Sequence, residues 1–164
     1  MLFARRALVL FSMAAVPVFD EAAAQSWQTY VNPRYGFSID YPPQFRAAPP
    51  PANGDGRDFA ATDEAHFSVY GELNNPGGKE RTIPEFEEYI RDSSGSDYSH
   101  VTYRFADAGI LVLSGVRGDR VFYEKYILSQ HGQIVNAFVM TYPTGAKALY
   151  DAIAARMSKS LHPG

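Results

Sequence analysis

The chain has 164 residues, 15 basic and 18 acidic side chains, 46% hydrophobic residues and no cysteine. That length suits one domain rather than two, and the missing cysteine excludes a disulfide scaffold, a lipobox anchor and thiolate metal sites. A formal net charge of −3 with both signs interspersed gives no electrostatic footprint for nucleic acid or an anionic membrane.

The first elements are a cationic start, Met1–Arg6, an apolar run, Ala7–Val18, and the small-residue site Ala22-Ala23-Ala24. That order predicts a cleavable secretory signal over residues 1–24. The apolar run is too short to span a bilayer, which takes roughly 20 residues. Pro17, Asp20 and Glu21 also sit badly in a membrane helix. Residues 25–164 are therefore expected to form a single exported α+β domain, periplasmic or secreted, with no stable membrane insertion. Its charge stays at −3, because the signal removes two residues of each sign: Arg5, Arg6, Asp20 and Glu21.

Trp27–Val31 and Phe37–Tyr41 alternate in polarity and flank Asn32-Pro33-Arg34-Tyr35-Gly36, which reads as a turn. Together they predict a hairpin, ended by Pro42-Pro43. Residues 42–56 are proline-rich and read as an irregular, extended surface crossover. Strands are expected at Arg57–Ala61 and His66–Leu73. Thr82 as N-cap, Pro84 early and Glu85 three residues after the cap predict a helix from Ile83 to about Arg91, broken by Ser93–Asp97. Four strands follow: Val101–Phe105, Ile110–Val116, Arg120–Ser129 and Ile134–Tyr142. Their short connections make them antiparallel neighbours. The last is apolar on both faces, so it belongs at the centre of a sheet covered on both sides. Ala146, Leu149, Tyr150, Ile153, Ala154, Met157 and Leu161 lie at helical spacing and predict a terminal helix, about Ala146–Leu161, packed on the sheet.

Within Trp27–Phe45, the pieces Tyr35-Gly36-Phe37-Ser38, Tyr41-Pro42 and Phe45 resemble the opening hairpin of PsbP/Mog1-like domains. The hairpin also resembles that of small bacterial envelope proteins carrying an NPRYGFSIDYP motif. The closing meander and long final helix match the same class in element order. The resemblance implies an antiparallel sheet flanked by helices, an α/β/α sandwich, in a class largely made of non-enzymatic binding or assembly modules. The matching residues are turn and core residues, so they imply fold and no ligand site.

Chemistry is sparse. His66, His100, His131 and His162 form no H-x-H or H-x₃-H pair, although His66 and His100 could meet across strands. Leu113-Ser114-Gly115 lacks the first glycine of a nucleophile elbow, and Gly77-Gly78-Lys79 lacks the rest of a P-loop. Asp40, Asp58 and Glu124 lie in strands and could supply paired carboxylates if they faced one cleft. No catalytic residue, cofactor or metal site is assigned. Tyrosine is abundant, with 11 residues, and joins apolar area to a polar tip. Tyr35, Tyr70, Tyr103 and Tyr123, beside the proline-rich crossover, are the expected binding surface. The reading is a non-catalytic binding or accessory module of the bacterial cell envelope that meets a protein partner or a small ligand. A small periplasmic hydrolase is the alternative, and an effector-neutralising protein a third reading.

Overall fold

The computed structural model describes residues 26–75, 77–93 and 100–164. The expected signal peptide and most of the Ser93–Asp97 breaker lie outside them. The first described element is the hairpin of β1 (Gln28–Val31) and β2 (Ser38–Tyr41), paired antiparallel with Tyr30 opposite Ile39. Its turn is organised by Asn32, whose side-chain carbonyl accepts from the Arg34 and Tyr35 amides at 2.9 and 2.8 Å. Gly36 at φ +73° completes the turn. Asn32 is fully buried, and its side-chain amide donates to the Gly54 carbonyl at 3.0 Å. The turn residue thus also ties the hairpin to the proline-rich crossover.

A second sheet has seven strands: β3 (Arg46–Ala47), β4 (Gly56–Ala60), β5 (His66–Leu73), β6 (Val101–Asp107), β7 (Ile110–Arg117), β8 (Arg120–Ser129) and β9 (Ile134–Pro143). Their order is β3-β4-β5-β9-β8-β7-β6, and every pairing is antiparallel. The strand expected at the centre is at the centre. The crossover, expected to be wholly irregular, contains β3: Arg46 and Ala47 find partners in Ala60 and Phe59, because the gap between the proline pairs leaves their amides free to bond.

Among the described residues two α-helices complete the fold, α1 (Ile83–Ser93) and α2 (Lys147–Ser160), the second entered through a 3₁₀ turn over Thr144–Ala146. At the start of α1 the Thr82 amide and hydroxyl donate to one Glu85 carboxylate oxygen at 2.8 and 2.9 Å. The amide bond first, then the hydroxyl and Lys79, lower the Glu85 carboxyl to about 2.

Strand alternation sorts the core onto two faces. On one, Phe59, Phe67, Val69, Val121, Phe138, Met140 and Tyr142 meet α2 and the β1–β2 hairpin, including Phe37, Ile39, Tyr150, Ala154, Met157 and Leu161. Phe59 and Phe67 stack at 4.4 Å and 7°. On the other, Leu111, Leu113, Phe122, Tyr126, Val135 and Ala137 meet Ile83, Phe86 and Ile90 of α1. Leu149, expected on the packed stripe of the terminal helix, is 55% exposed. It lies about 100° round the helix from buried Tyr150, beyond the sheet's reach. The chain then returns to β2, where the Ser38 and His162 backbones exchange two hydrogen bonds of 2.9 and 3.0 Å.

Neither face is wholly covered. The hairpin and α2 lie over β4, β5, β9 and part of β8, leaving Tyr103 and Phe105 of β6 exposed on that side. Helix α1 packs over β7 and its neighbours, leaving the β4–β5 end of the opposite face open.

Candidate functional site

The open β4–β5 end holds a cavity of about 280 Å³ lined by Asp58, Ser68, Tyr70 and Glu72 together with Pro51, Asn53 and Asp55 of the crossover. Pairing places Gly56 opposite Tyr70 and Asp58 opposite Ser68, and even-numbered residues of both strands share this face. Glycine is required at 56: a Cβ there would sit 2.5 Å from the Tyr70 Cβ. The Ser68 hydroxyl donates to Asp58 at 2.5 Å. Asp55 is held by Arg34 at 2.5 Å and by the Asn53 side-chain amide at 2.7 Å. Burial raises the Glu72 carboxyl above its ordinary range, against the opposing effect of Arg81. Burial likewise pushes the Tyr70 phenol up, assisted by the charges of Glu72 and Glu124. The cavity therefore combines an aromatic floor with one carboxylate, Glu72, that lacks full solvation.

Tyr35 stands directly behind this cavity. Its ring packs on Gly71, where a Cβ would come within 2.5 Å of the Tyr35 Cγ. Burial first, then Asp55, raises its phenol. Residues 70 and 71 point to opposite faces, so Tyr70 and Tyr35 flank one strand end from two sides. Tyr103 and Tyr123 lie elsewhere, in a cleft of about 190 Å³ shared with Ser114, Tyr142, Lys147 and Asp151. There the Tyr142 hydroxyl donates to Asp151 at 2.7 Å, Lys147 pairs with the same carboxylate, and the Tyr123 hydroxyl donates to Ser158 at 2.9 Å. The four tyrosines expected on one surface thus fall into two places, and only Tyr35 and Tyr70 neighbour the crossover.

The other sequence candidates do not converge. The row running across the sheet from His66 passes through Thr141, Phe122 and Gly115 to Val101. Four strand spacings, roughly 19 Å, therefore separate His66 from the start of β6 beside His100. His66 is engaged instead with Thr141, whose hydroxyl lies 2.7 Å from its Nε2. Asp58 and Glu124 share a face and a row, through Ser68 and Val139. Three spacings put them roughly 14 Å apart at the backbone, wider than the separation used in glycoside hydrolysis. Asp40 belongs to the hairpin and accepts from Thr29 at 2.6 Å. Among the described residues no group of three His, Asp or Glu side chains is placed to hold a metal ion, and no helix is long and apolar enough to cross a membrane.

The residues sequence reasoning missed are Gly56, Gly71, Ser68 and Glu72. The signal was available in part: two glycines inside or at the start of strands mark close approaches, here of one tyrosine each.

No protein-family model matches the sequence, and no curated protein matches it. Solved structures do. Cyanobacterial PsbP (CyanoP) from Synechocystis sp. PCC 6803 aligns over 93% of this chain and 99% of its own, with a TM-score of 0.61 at 11% identity. This is a PsbP/Mog1-like fold. The Ran-binding protein Mog1p of Saccharomyces cerevisiae aligns over 84% of this chain and 95% of its own, with a TM-score of 0.54 at 9% identity. A variant of protein Mog1 gives 0.52 at 10% over the same shares. At such identities the PsbP/Mog1-like fold carries architecture and no site residue.

Proposed function

We propose that the chain is an exported, non-catalytic binding module of the cell envelope that takes a protein partner at the Tyr70 cavity. The observation that carries this reading is the cavity itself, an uncovered sheet face floored by Tyr70 and walled by the proline-rich crossover. With Asp55 already held by Arg34, Asp58 and Glu72 are the carboxylates of the lining that favour a cationic side chain, a Lys or Arg of the partner. A cation restores favourable surroundings to Glu72, whose charged form burial disfavours, while the Tyr70 ring offers apolar contact to its stem. The Ran-binding neighbour supports the reading only as a case in which this fold serves protein recognition.

Native mass spectrometry of the protein recovered gently from its own periplasm tests it. The expected result is a chain lacking residues 1–24 and carrying a stoichiometric extra protein mass, lost in Tyr70→Ala and reduced in Glu72→Gln. An uncleaved mass overturns export. A partner retained by both variants overturns the cavity as its seat.

A further inference from the structure

The two ends of the seven-stranded sheet are finished differently. At one end β3 is two residues long and lies between Pro42-Pro43 and Pro49-Pro50-Pro51. Proline cannot donate to a ladder, so this edge is blunted against further pairing. At the other end β6 runs for seven residues without proline or lysine. Among the described residues no strand lies beyond it. Its two aromatic side chains are exposed, Tyr103 by 54% and Phe105 by 44%, and both stand on the face that α2 and the hairpin leave uncovered. A long edge carrying exposed aromatics is the arrangement that chains protect against unless it is used.

We propose that β6 pairs antiparallel with β6 of a second copy of this chain, across a twofold axis normal to the sheet, so that the sheet continues from one chain into the other. Such an axis keeps each face on its own side, and the self-complementarity of β6 then selects the register. With Arg104 on the axis, Tyr103 of each copy lies opposite Phe105 of the other. That makes two reciprocal aromatic pairs on the open face, one of the cross-strand combinations that stabilise sheets. The next register would set Tyr103 against Asp107 and leave a single aromatic pair.

The axial register brings Arg104 opposite Arg104, and like charges so placed repel. Each guanidinium is already neutralised within its own chain. Arg104 Nε and Nη2 donate to the two Glu87 oxygens at 2.7 and 2.6 Å, a bidentate pair that turns Arg104 toward α1. The helices leave room as well. Each α1 lies over its own β7, so three strand spacings of about 4.8 Å separate the two, roughly 14 Å, against the 8–10 Å of packed helices. Exposed parts of Tyr103 and Phe105 in two copies amount to about 400 Å². That aromatic area lies below the roughly 1,200 Å² at which stable interfaces begin, so the dimer is expected to be weak and transient, dissociating between the high micromolar and the millimolar range.

Sedimentation velocity of the purified chain across the micromolar range, rising toward millimolar, should show a concentration-dependent shift to twice the monomer mass. Phe105→Lys, with its fold checked by circular dichroism, should raise the dissociation constant on the order of tenfold or more. Because the chain has no cysteine, a mixture of Tyr103→Cys and Phe105→Cys chains reports the register directly. The mixture should cross-link on mild oxidation, and either variant alone should cross-link far less, its thiols being a diagonal apart. A monomer at all concentrations overturns the proposal. So does a dimer indifferent to Phe105→Lys, a cross-link pattern that ignores the 103–105 pairing, or a monomer whose β6 takes an extended peptide of another protein instead. The Tyr70 cavity lies toward the opposite end of the sheet, so partner binding there is measured independently in the Phe105→Lys chain.

Discussion

Replacing Phe67 by alanine tests the packing argument at its densest point. Phe67 is 1% exposed. Its ring stacks on Phe59 at 4.4 Å and meets Phe45 at 4.9 Å, Phe138 at 5.9 Å and Tyr41 at 6.0 Å. Removing a buried phenyl group costs about 3–5 kcal/mol, combining lost transfer energy with the cavity left behind. Four aromatic neighbours drawn from the sheet, the hairpin and the segment before β3 cannot all collapse into the space. The cost should therefore fall in the upper part of that range, about 4 kcal/mol, which corresponds to roughly 12–16 °C in Tm for a domain of this size. Urea unfolding followed by tryptophan fluorescence is a clean assay, because Trp27 is the sole tryptophan and lies under the Arg156 guanidinium at 3.9 Å. Leu149→Ala, at a position 55% exposed, is the control and should change stability by no more than about 0.5 kcal/mol. A Phe67→Ala cost below about 2 kcal/mol, or one equal to the Leu149 control, would refute the core assignment.

Gly115→Ala should destabilise by about 1–3 kcal/mol. Its Cβ would strike the His100 carbonyl and come 2.8 Å from Phe122 Cε1, so hydrogen exchange should quicken first in β6. Glu124 has a carboxyl raised by burial, partly offset by the Tyr126 hydroxyl. The folded state then holds its proton more tightly, and stability falls as pH rises from the ordinary Glu value, about 4.3, through the raised one. Glu124→Gln should remove that slope in pH-dependent denaturation and raise stability at neutral pH. Glu87 is the reverse case, its carboxyl lowered by the Arg104 hydrogen bonds against the effect of burial. Its contribution is present above the ordinary Glu value and lost as pH falls through the lowered one. With Arg104 half exposed, Glu87→Gln should cost about 1 kcal/mol at neutral pH and flatten the acid limb.

The meander of β6 to β9 and the terminal helix were readable because each rests on local signals. Turns such as Arg117-Gly118-Asp119 leave neighbouring strands one way to pair, and the apolar character of both faces of β9 announced its central place. The PsbP/Mog1-like architecture was legible for the same reason. The site was less so. Alternation states that Tyr70 and Gly71 face opposite ways, but which half of each face a helix covers depends on where α1 and α2 land, and that is a long-range property. Tyr35 and Tyr70 therefore read as neighbours near the crossover, which they are, with no sign that a strand lies between them. Tyr103 and Tyr123 read as part of the same surface because neither shows its distance from β5 in sequence. Leu149 fitted the helical period, yet it lies at the edge of the stripe, about 100° round α2 from buried Tyr150. Asn136 gave no signal of its kind at all. It is fully buried in β9, donating to the Ser129 hydroxyl at 2.7 Å, a polar partnership visible only once β8 is alongside.

The strand order also sets the timing of assembly. The sheet is two runs of neighbours in sequence, β3-β4-β5 and β6-β7-β8-β9, joined along one seam between β5 and β9. Within each run, contacts close over short loops. Across the seam they join residues such as His66 and Thr141, 75 positions apart, and that loop must close before its contacts can repay the lost entropy. Seam formation should therefore limit the folding rate. Until it occurs, the most apolar strand of the molecule presents an open side. Refolding yield should fall with protein concentration, and β5 amides should exchange together with their β9 partners as one cooperative unit.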